Sequence, residues 1–350
     1  MSQFTYPTTQ EIKEISAELQ PKLIANSPIF GHFPIVEVSS SKLSWVQRDD
    51  YQGMQQVRGL NGQPGIVAHL GSRRYAYEPG VYGEVYPIDE MEITERARLA
   101  QVSPSPISID DLVMDGNRQL LHRENVLMEY ILWTLVSSGT FAISKDGLVI
   151  ATDSYPIQTA TAAVDWDTVA TATPIADLRT VKVLGRGKGV SFGAGATAYM
   201  NLLTFNKMLA NTNTADLAGK LSRILSMGTN NGVELADLSL INKILAGADL
   251  PTIAIYDEGY KAETTGTWTP FIATDKVAII GKRNAGEPLG EYRKTINANN
   301  DPVGPGSYVK VVDSATPGNP NPVPRKVDVH RGHNGGPVIY YPSGVVVLSV

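Results

Sequence analysis

The chain has 350 residues and no cysteine, which excludes disulfide scaffolds, thiol nucleophiles, iron–sulfur clusters and Cys-ligated zinc. Charged residues make up 19%, against the ~25% usual for soluble domains, and protein interfaces are surfaces depleted in charge. The net charge of −5 argues against a chain that wraps nucleic acid by neutralising phosphates.

The segment Met1–Glu14 has no basic head before an apolar run, so no signal peptide is expected. Thr8 and Glu11 have the spacing of a capping box, and Ile12, Ile15, Leu19 and Leu23 then mark one narrow helical face. Pro21 is expected to kink or end that helix, and Pro28 and Pro34 to hold the next residues extended. A single short amphipathic helix cannot bury its stripe alone, so it needs a surface on its own body or on a neighbour.

Residues 44–92 read as a long β-hairpin turning at Asn61-Gly62, the strongest short-range turn signal in the chain. The outgoing strand runs through Trp45, Met54 and Val57, and the return through Arg73, Tyr75, Tyr77, Val81, Glu84 and Tyr86, bent at Glu78-Pro79-Gly80. Arg48 to Gln52 and Arg73-Arg74 put charge or polarity on both faces. A two-stranded ribbon without an apolar face is marginal in water, so the ribbon is expected to stand off its own core and be held by something else.

Ser108–Ser138 is the clearest helix, opened by the capping-box-like Ser108-Ile-Asp-Asp111 and closed by Gly139. At about 1.5 Å per residue it spans roughly 45 Å, unless Gly116 interrupts it. Its apolar run Val126–Val136 is shorter than the ~18 residues of a membrane span and carries Glu129, so a soluble protein is expected. Residues 139–150 read as a hairpin turning at Asp146-Gly147, and 159–173 as a crossing between domains. Helices are expected at Ala196–Ala210 and Glu234–Ala246, with strands at Thr180–Leu184, Thr252–Tyr256 and Val277–Ile280. The proline-rich 300–325 is expected to be extended or looped, and Val327–Val329, Val338–Tyr341 and Val345–Val350 to close the chain as strands.

Little chemistry is legible. Gly189-Val-Ser-Phe-Gly193 matches the nucleophile elbow G-x-S-x-G, with Asp257, Asp275, His330 and His333 downstream. The elbow needs a serine directly after a strand, whereas Leu184-Gly-Arg-Gly-Lys-Gly189 precedes it, so a loop is the preferred reading. The same glycines miss both phosphate-loop spacings. Arg179, Lys182, Arg186 and Lys188 form a basic run that reads as a solvated face, or as a site for an acidic partner. His330 and His333 lack companion ligands, so no metal is expected. His122, Arg123 and Glu124 read as a polar face of the long helix, and Asp89, Glu90, Glu92 and Glu95 with Arg96 and Arg98 as surface ion pairs. No catalytic residue and no cofactor is assigned.

The order of parts resembles the major capsid proteins of tailed bacteriophages, the Hong Kong 97-type fold, and within it the lambda-type branch, over about residues 30–350. Tyr77-Glu-Pro-Gly-Val-Tyr-Gly-Glu-Val-Tyr-Pro87 is similar to the return of that family's extended loop. Phe271–Gly281, with the segment on to Tyr292, is similar to a late strand of its axial domain, and Gly336–Val350 to its C-terminal strands.

The resemblance implies an α+β fold with an N-terminal arm (1–43), an extended loop (44–92), a peripheral domain with a long spine helix (93–165 and 300–341) and an axial domain (166–299 and 342–350). It implies a structural role: pentamers and hexamers of identical copies closing an icosahedral head around double-stranded DNA, which is touched weakly and non-specifically. Separate scaffolding, portal and decoration proteins would be partners, with no membrane; the location would be the virion, after assembly in the host bacterial cytoplasm. The subunit interface would draw on Ile12, Ile15 and Leu19 of the arm and on Trp45, Met54, Arg73, Arg74, Tyr75, Tyr77, Glu84 and Tyr86 of the loop. An encapsulin-like compartment is the variant within the fold, and a serine hydrolase using Ser191 the alternative of a different class.

Overall fold

In the computed structural model, which describes residues 7–48, 54–58, 60–63, 72–102, 109–145, 148–210, 238–261, 266–283, 286–314 and 323–350, the first helix starts where its capping box lies. Thr8 Oγ1 accepts from the Glu11 N–H (3.2 Å) and the Glu11 carboxylate accepts from the Thr8 N–H (2.7 Å), opening α1 (Thr9–Ile24). Pro21 lies inside α1 without ending it, and its carbonyl still accepts from the Ala25 N–H (3.0 Å). Pro28 does not keep the chain extended. Its φ of −67° suits a helix start, and α2 (Ile29–His32) comes next as one turn burying Ile29 and Phe30.

After β1 (Ile35–Glu37), β2 (Leu43–Arg48) pairs with β3 (Ser72–Tyr77) as the expected hairpin. The return strand does not continue in that hairpin to residue 92: β4 (Gly80–Ile88) pairs along its whole length with a C-terminal strand. The reason is a change of pattern. From Gly80 onward Tyr82, Tyr86 and Ile88 alternate inward and supply the core face that β3 lacks.

The acidic stretch after it is a helix, α3 (Glu90–Val102), capped by Asp89 Oδ1 on the Glu92 N–H (2.9 Å), with Arg98 and Glu95 as an exposed pair at 2.8 Å. The long helix is α4 (Asp110–Ser138), 29 residues; Ser108 lies outside the described residues. Gly116 leaves α4 unbroken and makes room, since a Cβ there would sit 2.7 Å from the Tyr86 ring. Gly139, at φ 71°, closes α4 with its N–H on the Leu135 carbonyl.

The hairpin β5 (Thr140–Lys145) and β6 (Leu148–Ser154) is next, its Asp146-Gly147 turn outside the described residues, and then β7 (Gln158–Thr161). The expected strand at 180–184 is the end of α5 (Pro174–Leu184). Pro174 sits in its first turn and the buried Asp177, Leu178 and Val181 keep helical spacing, which outweighs β-branched content. The expected helix 196–210 divides into β8 (Thr197–Met200) and α6 (Leu202–Ala210) at Asn201, whose side chain caps the Thr204 N–H (2.8 Å). Then come α7 (Leu238–Gly247), β9 (Thr252–Ile255), β10 (Lys276–Ile280) and β11 (Gly290–Lys294).

The stretch expected to be looped contains β12 (Ser307–Asp313). The two strands expected at 327–329 and 338–341 are one strand, β13 (Val327–Ile339). The glycines between the two expected strands admit close neighbours: a Cβ on Gly332 would run into the Tyr82 carbonyl oxygen, far inside contact distance. β14 (Val345–Ser349) ends the chain.

The chain divides into two units. The first holds residues 1–44, 76–129 and 291–338. Its sheet runs β1–β11–β13–β12, with β4 also on β13, and one face packs Val309, Val327, Val329 and Ile88 against Ile12 of α1 and Val113 and Leu120 of α4. The second holds residues 45–75, 130–290 and 339–350. Its sheet runs β9–β8–β10–β14–β7, with Leu178, Val181, Phe205, Met208, Ile241 and Leu245 of α5, α6 and α7 in the core on Val277, Ile279, Val346 and Leu348.

Candidate assembly surface and a buried charge cluster

In the first unit the inner face of the sheet carries charge as well as apolar packing. Glu124 on α4, buried, receives Lys294 Nζ of β11 (2.7 Å) and Arg331 Nε of β13 (2.5 Å). Ser307 of β12 donates to the same carboxylate and accepts from Lys294 (2.8 Å). Arg331 Nη1 reaches Asn117 Oδ1 (3.1 Å) and Ser16 Oγ (3.1 Å), so the cluster also holds α1. Burial alone would raise the Glu124 carboxyl, but Lys294 and Arg331 outweigh it and hold it far below the ordinary carboxylate range. The expected polar face of α4 is therefore wrong at Glu124. This residue stands four after Leu120 and four before Met128, on the core stripe, and that spacing is the signal that could have found it.

His333 is fully buried on the same face, its Nε2 2.9 Å from the Tyr292 hydroxyl and its Nδ1 3.3 Å from Glu124 Oε1. Burial pushes the imidazole down to about 3, against the pull of Glu124. In the neutral ring the Tyr292 hydroxyl donates to Nε2 and the proton sits on Nδ1, since the reverse tautomer would aim a lone pair at a carboxylate. A histidine with a depressed folded pKa costs stability as pH falls, because the unfolded chain takes up a proton that the folded chain refuses. Urea unfolding should therefore show stability falling from about pH 6.5 towards about pH 3, with up to ~1.4 kcal/mol per pH unit from this residue. His333→Gln should flatten that slope while lowering stability at pH 7; an unchanged slope would assign the acid sensitivity elsewhere.

The outer face of the same sheet mixes exposed valines with polar and charged side chains. Directly paired residues of antiparallel strands share a face, so Val81, Gly83, Val85 and Pro87 of β4 lie beside Asn334, Gly332, His330 and Asp328 of β13, and these beside Tyr308, Lys310 and Val312 of β12. Val81, Val85, Pro87 and Val312 are exposed. Tyr308 lies across the glycine track, where a Cβ on Gly83 or Gly332 would meet its ring or hydroxyl within 3 Å. Taking 80–87 as part of the ribbon hides this face; the alternation of Val81, Gly83 and Val85 with Tyr82 and Tyr86 is the signal that marks it.

The hairpin of the second unit is anchored at its base and carries exposed apolar side chains at its tip. Trp45 is buried; its Nε1 donates to the Ile339 carbonyl (2.9 Å) and its ring stacks on Tyr75 (5.3 Å) and Tyr155 (5.8 Å). At the tip Met54, Val57 and Leu60 are 92%, 99% and 100% exposed.

The residues expected at an interface thus divide. Met54, Arg73, Arg74 and Ile15 are exposed, and Leu19 and Tyr75 half-buried. Ile12 and Trp45 are covered by their own chain. Half-buried Tyr77 donates to the Pro337 carbonyl, Tyr86 packs beside Gly116, and Glu84 takes both Arg123 Nε (2.5 Å) and Nη2 (2.7 Å). These are internal contacts of β4 and its neighbours.

The nucleophile elbow does not form. Ser191 ends the two-residue strand Val190–Ser191, a turn and then β8 come after it instead of a helix, and its hydroxyl accepts from the Gly193 N–H (3.2 Å). Asp275 is bound to Lys207 (2.5 Å), and His333 belongs to the cluster of the first unit. Among the described residues no group of three metal-ligating side chains occurs, and no helix is long and apolar enough to cross a membrane.

No protein-family model matches the sequence, and no curated protein matches it. Solved structures do match. A protein assigned as the capsid protein of a prophage of Escherichia coli CFT073 superposes with a TM-score of 0.57 at 13% identity, over 96% of this chain and 98% of its own. A phage-related protein of Bordetella bronchiseptica RB50 gives 0.55 at 9% identity, over 95% of each chain. The α+β fold of this chain is that of phage major capsid proteins.

Proposed function

We propose that the protein is a non-enzymatic shell subunit, a major capsid protein whose identical copies close an icosahedral head around packaged double-stranded DNA. The observation that carries this reading is that one chain exposes apolar side chains at two separate places: Val81, Val85 and Val312 on the open face of β4, β13 and β12, and Met54, Val57 and Leu60 at the hairpin tip. A contact between two different patches of identical copies is head-to-tail, and head-to-tail contacts close into rings when the rotation allows. In this reading the tip of one copy lies on the open sheet face of the next. The first unit acts as the peripheral domain along capsomer edges, the second as the axial domain of pentamers and hexamers, and the N-terminal arm extends to another copy. The net negative charge suits a container that lets duplex slide rather than clamping it. Scaffolding, portal and decoration proteins are further partners in this reading, and the virion is the location.

The purified protein should form closed particles of uniform diameter, visible by negative-stain microscopy and sedimenting far ahead of a single chain. A species that remains one compact chain at every concentration, with or without co-expressed phage proteins, would falsify the shell. A serine-directed fluorophosphonate should leave Ser191 unlabelled.

A further inference from the structure

The dipeptide Asn-Gly occurs at three places, 61–62, 231–232 and 334–335, and two of them sit in opposite environments; 231–232 lies outside the described residues. We infer that Asn61-Gly62, at the apex of the hairpin, is a site of spontaneous backbone modification in the free subunit, and that Asn334-Gly335 is not. Asn61 occupies the left-handed region at φ 65° in an exposed turn between Leu60 and Gln63, and its side-chain amide has no partner among the described residues. The following residue has no side chain to shield its nitrogen. Among the described residues no hydrogen bond holds that nitrogen either, and Arg58 Nη1 meets only the Gly62 carbonyl at 3.4 Å.

The chemistry is internal. The Gly62 backbone nitrogen, on losing its proton, attacks Asn61 Cγ; a C–N bond forms, the Cγ–Nδ2 bond breaks, and Nδ2 leaves as ammonia after taking up a proton. The resulting five-membered imide adds water at one of its two carbonyls and opens to aspartate or to isoaspartate. Either product places a carboxylate next to Leu60 in the turn that Arg58 closes onto Gly62, and the isoaspartate also inserts a methylene into the backbone at the turn.

Asn334 carries the same dipeptide but cannot reach this geometry. Its Nδ2 donates to the Ile296 carbonyl (3.0 Å), its Oδ1 accepts from Asn297 Nδ2 (3.2 Å), and its own carbonyl accepts from the Thr295 N–H (2.8 Å). It is paired with Val81 within the ladder, and a Cβ on Gly335 would meet the Arg293 carbonyl oxygen at 2.5 Å, so the backbone has no room to fold back. Reaction there must wait for local opening of β13.

The test is site-resolved peptide mass spectrometry of the full-length, unassembled protein held at several pH values from neutral to mildly alkaline, with a parallel sample in urea. In native protein the amide-to-acid mass gain should accumulate at residue 61 roughly tenfold or more faster than at residue 334, because only the latter needs opening, and should quicken with pH. In urea the two sites should convert at similar rates. Gly62→Ala should slow the tip site without affecting residue 334. Equal native rates at the two sites, or an Asn61 that stays an amide while the urea sample converts, would overturn the inference. The modification belongs to the free subunit and proceeds whether or not the chain builds a shell.

Discussion

Glu124→Gln is expected to lower the free energy of unfolding by about 3–5 kcal/mol, the usual cost of stripping one partner from a buried ion pair. The substitution keeps the shape of the side chain and an oxygen that can still accept from Ser307 or Lys294. What it removes is the one charge that faces two buried cations, Lys294 and Arg331. Those cations cannot reach water where they stand, and a glutamine oxygen does not offset their desolvation. The arrangement also predicts an order. Lys294→Met leaves one carboxylate facing one guanidinium, a balanced pair, whereas Glu124→Gln leaves two cations facing none. Lys294→Met should therefore cost less than Glu124→Gln, although it removes just as many direct contacts to the carboxylate as any single change on the sheet side. Equilibrium urea denaturation of both variants at pH 7 decides the matter. If the lysine variant proves the less stable, packing rather than charge balance holds the cluster. Because Arg331 also binds Ser16, the first sign of damage in Glu124→Gln should be earlier hydrogen exchange in α1, whose buried residues are only Ile12 and Ser16.

Much of the local structure was legible because it is set by neighbours in sequence. The capping box at Thr8 and Glu11, the 29-residue α4 and the strands ending in Ile280 and Ser349 emerge from periodicity and end signals alone. The misreadings share one cause: a residue whose meaning is supplied by a partner far away in the chain. Gly332 falls in the gap between two expected strands until Tyr82 and Tyr308 are seen pressed against it. Gly116 reads as a helix defect until Tyr86 fills its place. Glu124 reads as solvent-facing beside His122 and Arg123 until Lys294 and Arg331 arrive from 170 and 207 positions away. The interface residues suffered most, since aromatic and charged residues on a ribbon look alike whether they await a neighbour or are already engaged. Trp45, Tyr77 and Glu84 proved to be engaged, whereas Val81 and Val85, neither of them among the expected interface residues, lie open.

Val57→Asp, alone or with Leu60→Asp, is expected to abolish closed particles while leaving the subunit folded. Both side chains are essentially free of their own chain, so the change in unfolding free energy should stay within about 0.5 kcal/mol, as for other surface substitutions. A carboxylate at the centre of an apolar contact, by contrast, would have to be desolvated without a partner in every copy of the interface. A shell repeats each contact many times, so a modest penalty per contact removes the closed state altogether while a dilute subunit is unaffected. The location of the receiving surface makes the prediction sharper. If the tip lies against Val81, Val85 and Val312 of a neighbouring copy, Val85→Lys should block assembly on its own and restore it when combined with Val57→Asp, because the two new charges then meet across the contact. Negative-stain microscopy and sedimentation of the two single variants and the double variant provide the readout, with melting curves as the folding control. Particles formed by Val57→Asp alone would remove the tip from the assembly contact. Single variants that both fail to assemble, with a double variant that also fails, would keep the tip but place its receiving surface elsewhere than the open face of β4, β13 and β12.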